Sequence, residues 1–130
     1  MNQPNSPSPA CAPHTPSAEP ATGELRKATT LREVSSAHVN DWSSAAWSTE
    51  TGFVAGPRVY GLHVLDRVGS GDGFAAGLIY GLLAGVSVER ALAYGTAHGA
   101  LVMTTPGDVS MASLAEVEAL IANGSAHVRR

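Results

Sequence analysis

Cysteine is almost absent from this 130-residue chain. Cys11 is the only one, so neither an internal disulfide nor a cysteine-based metal site can form within it. Aromatic residues make up 5% of the sequence and charged residues 15%, with a formal net charge of −3. Without a basic surplus there is no electrostatic reason to expect a polyanion or an anionic membrane as partner. Trp42 and Trp47 have no basic stripe beside them, so they read as core or hairpin cover rather than as platforms for nucleic-acid bases. No apolar run approaches the roughly 20 residues of a membrane span, and the N-terminus lacks the basic start and apolar stretch of a secretory signal. A soluble, cytoplasmic protein that binds neither nucleic acid nor membrane is the expectation.

Proline is abundant at one end only. Six of the eight prolines fall within the first twenty residues, mixed with Ser, Ala, Asn and Thr. No apolar periodicity runs through them, so residues 1–23 are expected to form a disordered leader carrying Cys11. Residues 24–130 then hold one modest domain.

Within that domain, strands come first. Residues 31–37 are compatible with a short strand. Residues 44–47 and 52–55 flank Ser48-Thr49-Glu50-Thr51 with the spacing of a hairpin, which Pro57 is expected to end. A further strand over 59–65, rich in Val, Tyr and Leu, delivers the chain to Asp66. Helices follow. Residues 74–84 are almost wholly apolar and too long for an ordinary buried strand, so they predict a buried helix that stops near Gly85. Ser87 is a natural N-cap for a second helix reaching about Met103, with Glu89 where the dipole favours negative charge. Ser113 and Glu116 form a capping box that opens a third helix towards Ala122.

Between the last strand and the first helix lies Asp66-Arg67-Val68-Gly69-Ser70-Gly71-Asp72-Gly73-Phe74. A glycine-rich strand-to-helix junction lets backbone N–H groups converge and adds the positive end of a helix, which makes it an anion site. Asp72 stands at its edge, where the dipole favours a negative charge and a carboxylate can accept a hydroxyl proton. Glycine recurs at 73, 77, 81 and 85 along one helix face. Such a row means close approach of another backbone or of a ligand, Gly73 being the position nearest the loop. Arg67 reads either as an anion contact or as a solvated side chain.

The loop, Phe74-Ala75-Ala76-Gly77, Ala97-His98-Gly99-Ala100 and Thr105-Pro106-Gly107 together resemble the ribokinase, or phosphofructokinase-B, family of carbohydrate kinases. Thr29-Thr30-Leu31-Arg32 and Asn40-Asp41-Trp42 look most like 2-keto-3-deoxygluconate kinases within it. The resemblance covers roughly residues 28–122 and implies the C-terminal part of a three-layer α/β/α fold. It implies ATP and Mg2+ as cofactors, with K+ a further candidate, and a sugar or sugar-acid substrate. Carried over by position, Asp72 is the catalytic base, while Gly69, Ser70, Gly71 and Asp72 supply the amides of an anion hole. The second helix and Thr104 to Gly107 border the adenine, with His98 and Gly107 as nucleotide contacts, although a histidine among Ala, Gly and Leu also reads as simply packed. Loop carbonyls near Asp66 and Gly107 hold the monovalent cation, and Asp108 either joins them or serves the turn. Arg67, Val68, Ser70 and Gly73 depart from the commoner family residues without removing the amides or the carboxylate.

Complete family members are more than twice as long, and their N-terminal part carries the sugar-binding sheet. The expectation is therefore a C-terminal fragment behind an unrelated leader, with an open sheet edge available for association with itself or another chain. Another ribokinase-type kinase, for ribose, fructose or a nucleoside, and a non-catalytic nucleotide-binding module are the alternative functions.

Overall fold

The computed structural model describes residues 25–107 and 110–123. The expected leader and Asp108 lie outside them. Three strands are followed by three helices: β1 (Leu25–Val34), β2 (Val39–Ser48), β3 (Gly52–His63), α1 (Ser70–Leu83), α2 (Val88–Met103) and α3 (Leu114–Ala122). The strands form one antiparallel sheet in the order β1-β2-β3.

Turn chemistry fixes the register. The Ser36 hydroxyl accepts from the amides of His38 and Val39 between β1 and β2. Between β2 and β3, the Ser48 hydroxyl accepts from the Thr51 amide at 3.0 Å, and Gly52 adopts φ 75°. The first strand is longer than expected and begins at Leu25, because pairing with β2 overrides the weak local propensity of its Thr, Arg and Glu residues.

Pro57 does not end the hairpin. The two expected strands on either side of it are one strand, β3, which stops at His63. Ser43 pairs with Arg58 and Ala45 with Ala55, so Gly56 and Pro57 together oppose Ser44 in a bulge. A proline without an N–H is tolerated at a bulge on an edge strand.

Alternation along β2 turns Asn40, Trp42, Ser44 and Ala46 into the core. α2 lies on that face. The Trp42 indole Nε1 donates to the Thr96 carbonyl at 3.0 Å, and the hydroxyls of Ser44 and Thr96 are 2.6 Å apart. α1 and α3 pack against α2, with Leu78, Val117 and Leu120 joining the same core cluster. On the opposite face, Trp47 and Phe53 are 47% and 70% exposed. The described residues therefore supply a sheet and a helical layer on one side of it, two of the three expected layers.

The second and third helices have the expected starts. Ser87 accepts from the Arg90 amide and Ser113 from the Glu116 amide, each at 3.2 Å. The Glu116 carboxylate meets the Ser113 hydroxyl, the second half of a looser capping box. α1 differs from expectation in two ways. It starts at Ser70, and only Gly73, Phe74, Gly77, Leu78 and Gly81 are buried, while Ile79, Tyr80 and Leu83 are exposed.

The glycine row explains how α1 lies on α2. A Cβ at Gly77 would strike the Tyr94 carbonyl oxygen and come within 2.8 Å of Gly95 Cα, and one at Gly81 would come within 2.7 Å of Ala91 Cα. At Gly73 it would meet the Val102 side chain at 2.8 Å. Close approach of α2, by its backbone at Gly77 and Gly81 and by the Val102 side chain at Gly73, accounts for these three. Gly85 belongs to the turn after α1, with φ 82°.

Candidate functional site

After β3 the chain crosses to the C-terminal end of α2 before turning into α1. The Met103 carbonyl accepts from the amides of Leu65, at 2.9 Å, and Asp66, at 3.3 Å. Asp66 then folds its carboxylate onto the Val68 amide at 2.9 Å, an Asx-type turn that starts the glycine loop. The Ser70 amide donates to the Arg67 carbonyl at 3.3 Å, and the Gly73 amide to the Gly69 carbonyl at 2.8 Å. Gly69, at φ 89°, is the N-cap of α1, and no side chain caps that end.

This start is unlike those of α2 and α3, whose serine caps each satisfy an amide. At α1 the amides of Gly71 and Asp72 have no hydrogen-bond acceptor among the described residues. They are two of the N–H groups that a helix start leaves unpaired, and they carry the positive end of the dipole. Asp72 is in the first turn, and its residue is exposed. A carboxylate therefore stands beside amides free to bind an anion, the arrangement needed to hold a phosphoryl group and take a proton next to it.

Close helix packing holds this corner. A Cβ at Gly99 would lie 3.1 Å from the Ser70 carbonyl oxygen and 2.9 Å from Trp42 Cζ2. The hydroxyls of Thr104 and Thr105 both donate to the Leu101 carbonyl, closing α2 before the exposed turn at Gly107, φ 91°. Asp66, Gly69, Ser70, Gly71, Asp72 and Gly107 are thus gathered at one end of the molecule. Arg67 is exposed there and reads as solvated.

His98 stands apart from that group. It is half-buried, with Nε2 2.8 Å from the Ser110 hydroxyl, and it lines a cleft of about 170 Å³ between the three helices with Tyr80, Tyr94 and Leu114. The packed, partnered reading of this histidine fits its surroundings. Ser110 is its partner across the α2–α3 connection, and no periodicity or motif in the sequence singled that serine out.

Among the described residues no group of three or more His, Cys, Asp or Glu side chains could hold a metal ion, and no helix is long and apolar enough to cross a membrane.

The sequence profile of the family described as "pfkB family carbohydrate kinase" matches residues 43–114, more than half of the chain. The 2-dehydro-3-deoxygluconokinase of Bacillus subtilis is 49% identical over 61 residues, 47% of this chain and 18% of that enzyme. The 2-dehydro-3-deoxygalactonokinase of Haloferax volcanii is 39% identical over 72 residues, 55% of this chain and 23% of that enzyme. The crystal structure of 2-dehydro-3-deoxygluconokinase from Thermotoga maritima superposes with a TM-score of 0.67 at 39% identity, covering 73% of this chain and 28% of that one. The chain thus spans less than a third of each of these relatives. With the motif, the fold and the family profile in agreement, the chain belongs to the pfkB family of carbohydrate kinases.

Proposed function

We propose that this chain provides the phosphoryl-transfer end of an ATP-dependent kinase acting on 2-keto-3-deoxygluconate, the 2-dehydro-3-deoxygluconate of its relatives' names. The observation that carries the proposal is the exposed Asp72 carboxylate beside the unpartnered amides of Gly71 and Asp72 at an uncapped helix start. Asp72 takes the proton from the sugar hydroxyl as its oxygen attacks the γ-phosphate of ATP. The backbone amides of Gly69, Gly71 and Asp72 face the negative charge that builds on the transferred group. The Ser70 amide, already donating to Arg67, shapes the turn more than it binds.

The donor set fits ATP phosphates better than it fits a metal. Mg2+, which would neutralise phosphate charge, finds no side-chain cluster among the described residues. For K+, loop carbonyls near Asp66 and Gly107 are the donors in this reading, with the turn that presents them held by the Val68 amide on Asp66 Oδ1. The cleft between the three helices borders the adenine in this reading, with His98, held by Ser110, as part of its wall. The relative named for the galactonate epimer is the reason to assay both sugar acids.

Positioning two substrates is most of phosphoryl-transfer catalysis, so the chain by itself is expected to have little activity. The test joins it to the Bacillus subtilis enzyme in place of the segment it matches, and measures kcat and nucleotide binding. General-base assistance is worth roughly 10^2 to 10^4 in rate, so Asp72→Asn should lower kcat by about that factor and leave nucleotide affinity intact. Asp66→Ala, which removes the acceptor of the Val68 amide and so opens the loop turn, should weaken nucleotide binding. An Asp72→Asn protein that keeps its parent's kcat would end the assignment, and nucleotide binding without sugar phosphorylation would favour a non-catalytic module.

A further inference from the structure

One position of α2 meets both the sheet and the start of α1. A Cβ at Gly99 would lie 2.9 Å from Trp42 Cζ2, 3.3 Å from Trp42 Cε2 and 3.1 Å from the Ser70 carbonyl oxygen. From the other side, a Cβ at Gly73 would come 3.5 Å from Gly99 Cα. The first turn of α1 therefore rests on bare α2 backbone at Gly99, and the indole edge of Trp42 lines the same spot. That indole is fixed twice. It is buried in the core, and its Nε1–H is aimed at the Thr96 carbonyl, three residues before Gly99 on the same helix. A hydrogen bond constrains direction as well as distance, so β2 sets where this stretch of α2 lies.

The Ser70 oxygen is one end of a rigid unit. Its carbonyl belongs to the same planar, trans peptide as the Gly71 N–H, and in such a unit the two bonds point opposite ways. Whatever holds the oxygen at Gly99 also aims the Gly71 N–H away from Gly99, where Gly71 and Asp72 are both exposed. Serine side chains fix the starts of α2 and α3, but none caps α1. Its first peptide is steadied from outside, by this contact.

We infer that Trp42 is a positioning residue of the phosphoryl site: acting through Gly99 and the Ser70 carbonyl, it sets the direction of the Gly71 amide beside Asp72. The inference rests on the anion-binding role proposed for that amide, and it is read without turnover. The full chain is titrated with inorganic tripolyphosphate while the Gly71 and Asp72 amides are followed by NMR. Trp42→Phe keeps an aromatic ring in the core but lacks both Nε1 and Cζ2. It should weaken binding roughly tenfold or more, as loss of a hydrogen bond to a charged group does. Thr96→Val removes the hydroxyl paired with Ser44 and keeps the carbonyl that Trp42 uses. It should lower the urea midpoint and leave the affinity unchanged. Gly99→Ala, whose methyl must displace the indole or the Ser70 oxygen, should also weaken binding. Combined with Trp42→Phe it should cost less than the product of the two separate losses, as coupled sites do.

A second measurement needs no variant. In the chain labelled with 7-fluorotryptophan the Trp42 fluorine sits on Cζ2, so its resonance should move together with the Gly71 amide during the titration while that of Trp47 stays. Three results overturn the inference and leave the anion site standing: equal affinity in the parent and Trp42→Phe, an equal loss in Thr96→Val, or a Trp42 fluorine that stays still while the Gly71 amide shifts. If tripolyphosphate moves neither amide in the parent chain, the proposed function itself falls and takes this role of Trp42 with it.

Discussion

Two glycines of the same helix, Gly71 and Gly77, behave oppositely under the same substitution. A Cβ at Gly77 meets the α2 backbone at Tyr94 and Gly95, which cannot yield without parting the helices. Gly77→Ala should cost about 1–3 kcal/mol, read as a lower urea midpoint at unchanged slope. At Gly71 nothing lies within 4 Å of such an atom, and its φ is not positive. Gly71→Ala should raise stability by up to about 1 kcal/mol through helix propensity and a less flexible unfolded chain. A midpoint that rose for both would show that α1 does not sit on α2 at this separation. The four-residue glycine period was legible in the sequence, because periodicity is local. Its meaning was not, because what a glycine touches depends on the next helix, α2. The place of Asp72 in the first turn of a helix was legible for the converse reason: that setting is built from its immediate neighbours.

At the level of elements, α2 and α3 are joined by Tyr94, whose hydroxyl donates to the Glu118 carboxylate at 2.9 Å. That hydrogen bond, followed by burial, raises the Tyr94 pKa above its usual value near 10. The folded chain then holds the phenolic proton longer than the unfolded one. This stabilisation is complete below the unfolded pKa and is lost as pH rises through the higher folded one. Tyr94→Phe should flatten the loss of stability expected above about pH 10 and cost roughly 0.5–1.5 kcal/mol near neutrality. Urea midpoints at pH 8 to 11 measure both, and an unchanged alkaline limb would remove Tyr94 as its source. Helix starts at Ser87 and Ser113 could be read in advance since a cap is a local device. The continuation of β3 through Pro57 could not, because it depends on a bulge that only the pairing partner Ser44 defines.

For the whole molecule, the order of strands followed by helices was evident from the sequence, whereas the face of the sheet left open was not. Alternation marks two faces without saying which one a helix will cover. The covering is decided by long-range fit, such as Trp42 to Thr96. One such long-range link, the Met103 carbonyl shared by Leu65 and Asp66, has a dynamic consequence. A carbonyl at the end of a helix usually faces water, yet here it is the mooring for the strand that feeds the glycine loop. Leu65 has a 67% exposed residue, but its amide can exchange with solvent only when α2 and the loop separate. Hydrogen-exchange measurements should therefore find the Leu65 amide protected to the same degree as the last turn of α2, with both opening in one event. Leu65 exchange as fast as in an unstructured peptide would mean that the two move independently. If they open together, any ligand that quiets the end of α2 also stills the loop that presents Asp72, and the two sides of the site share a single breathing motion.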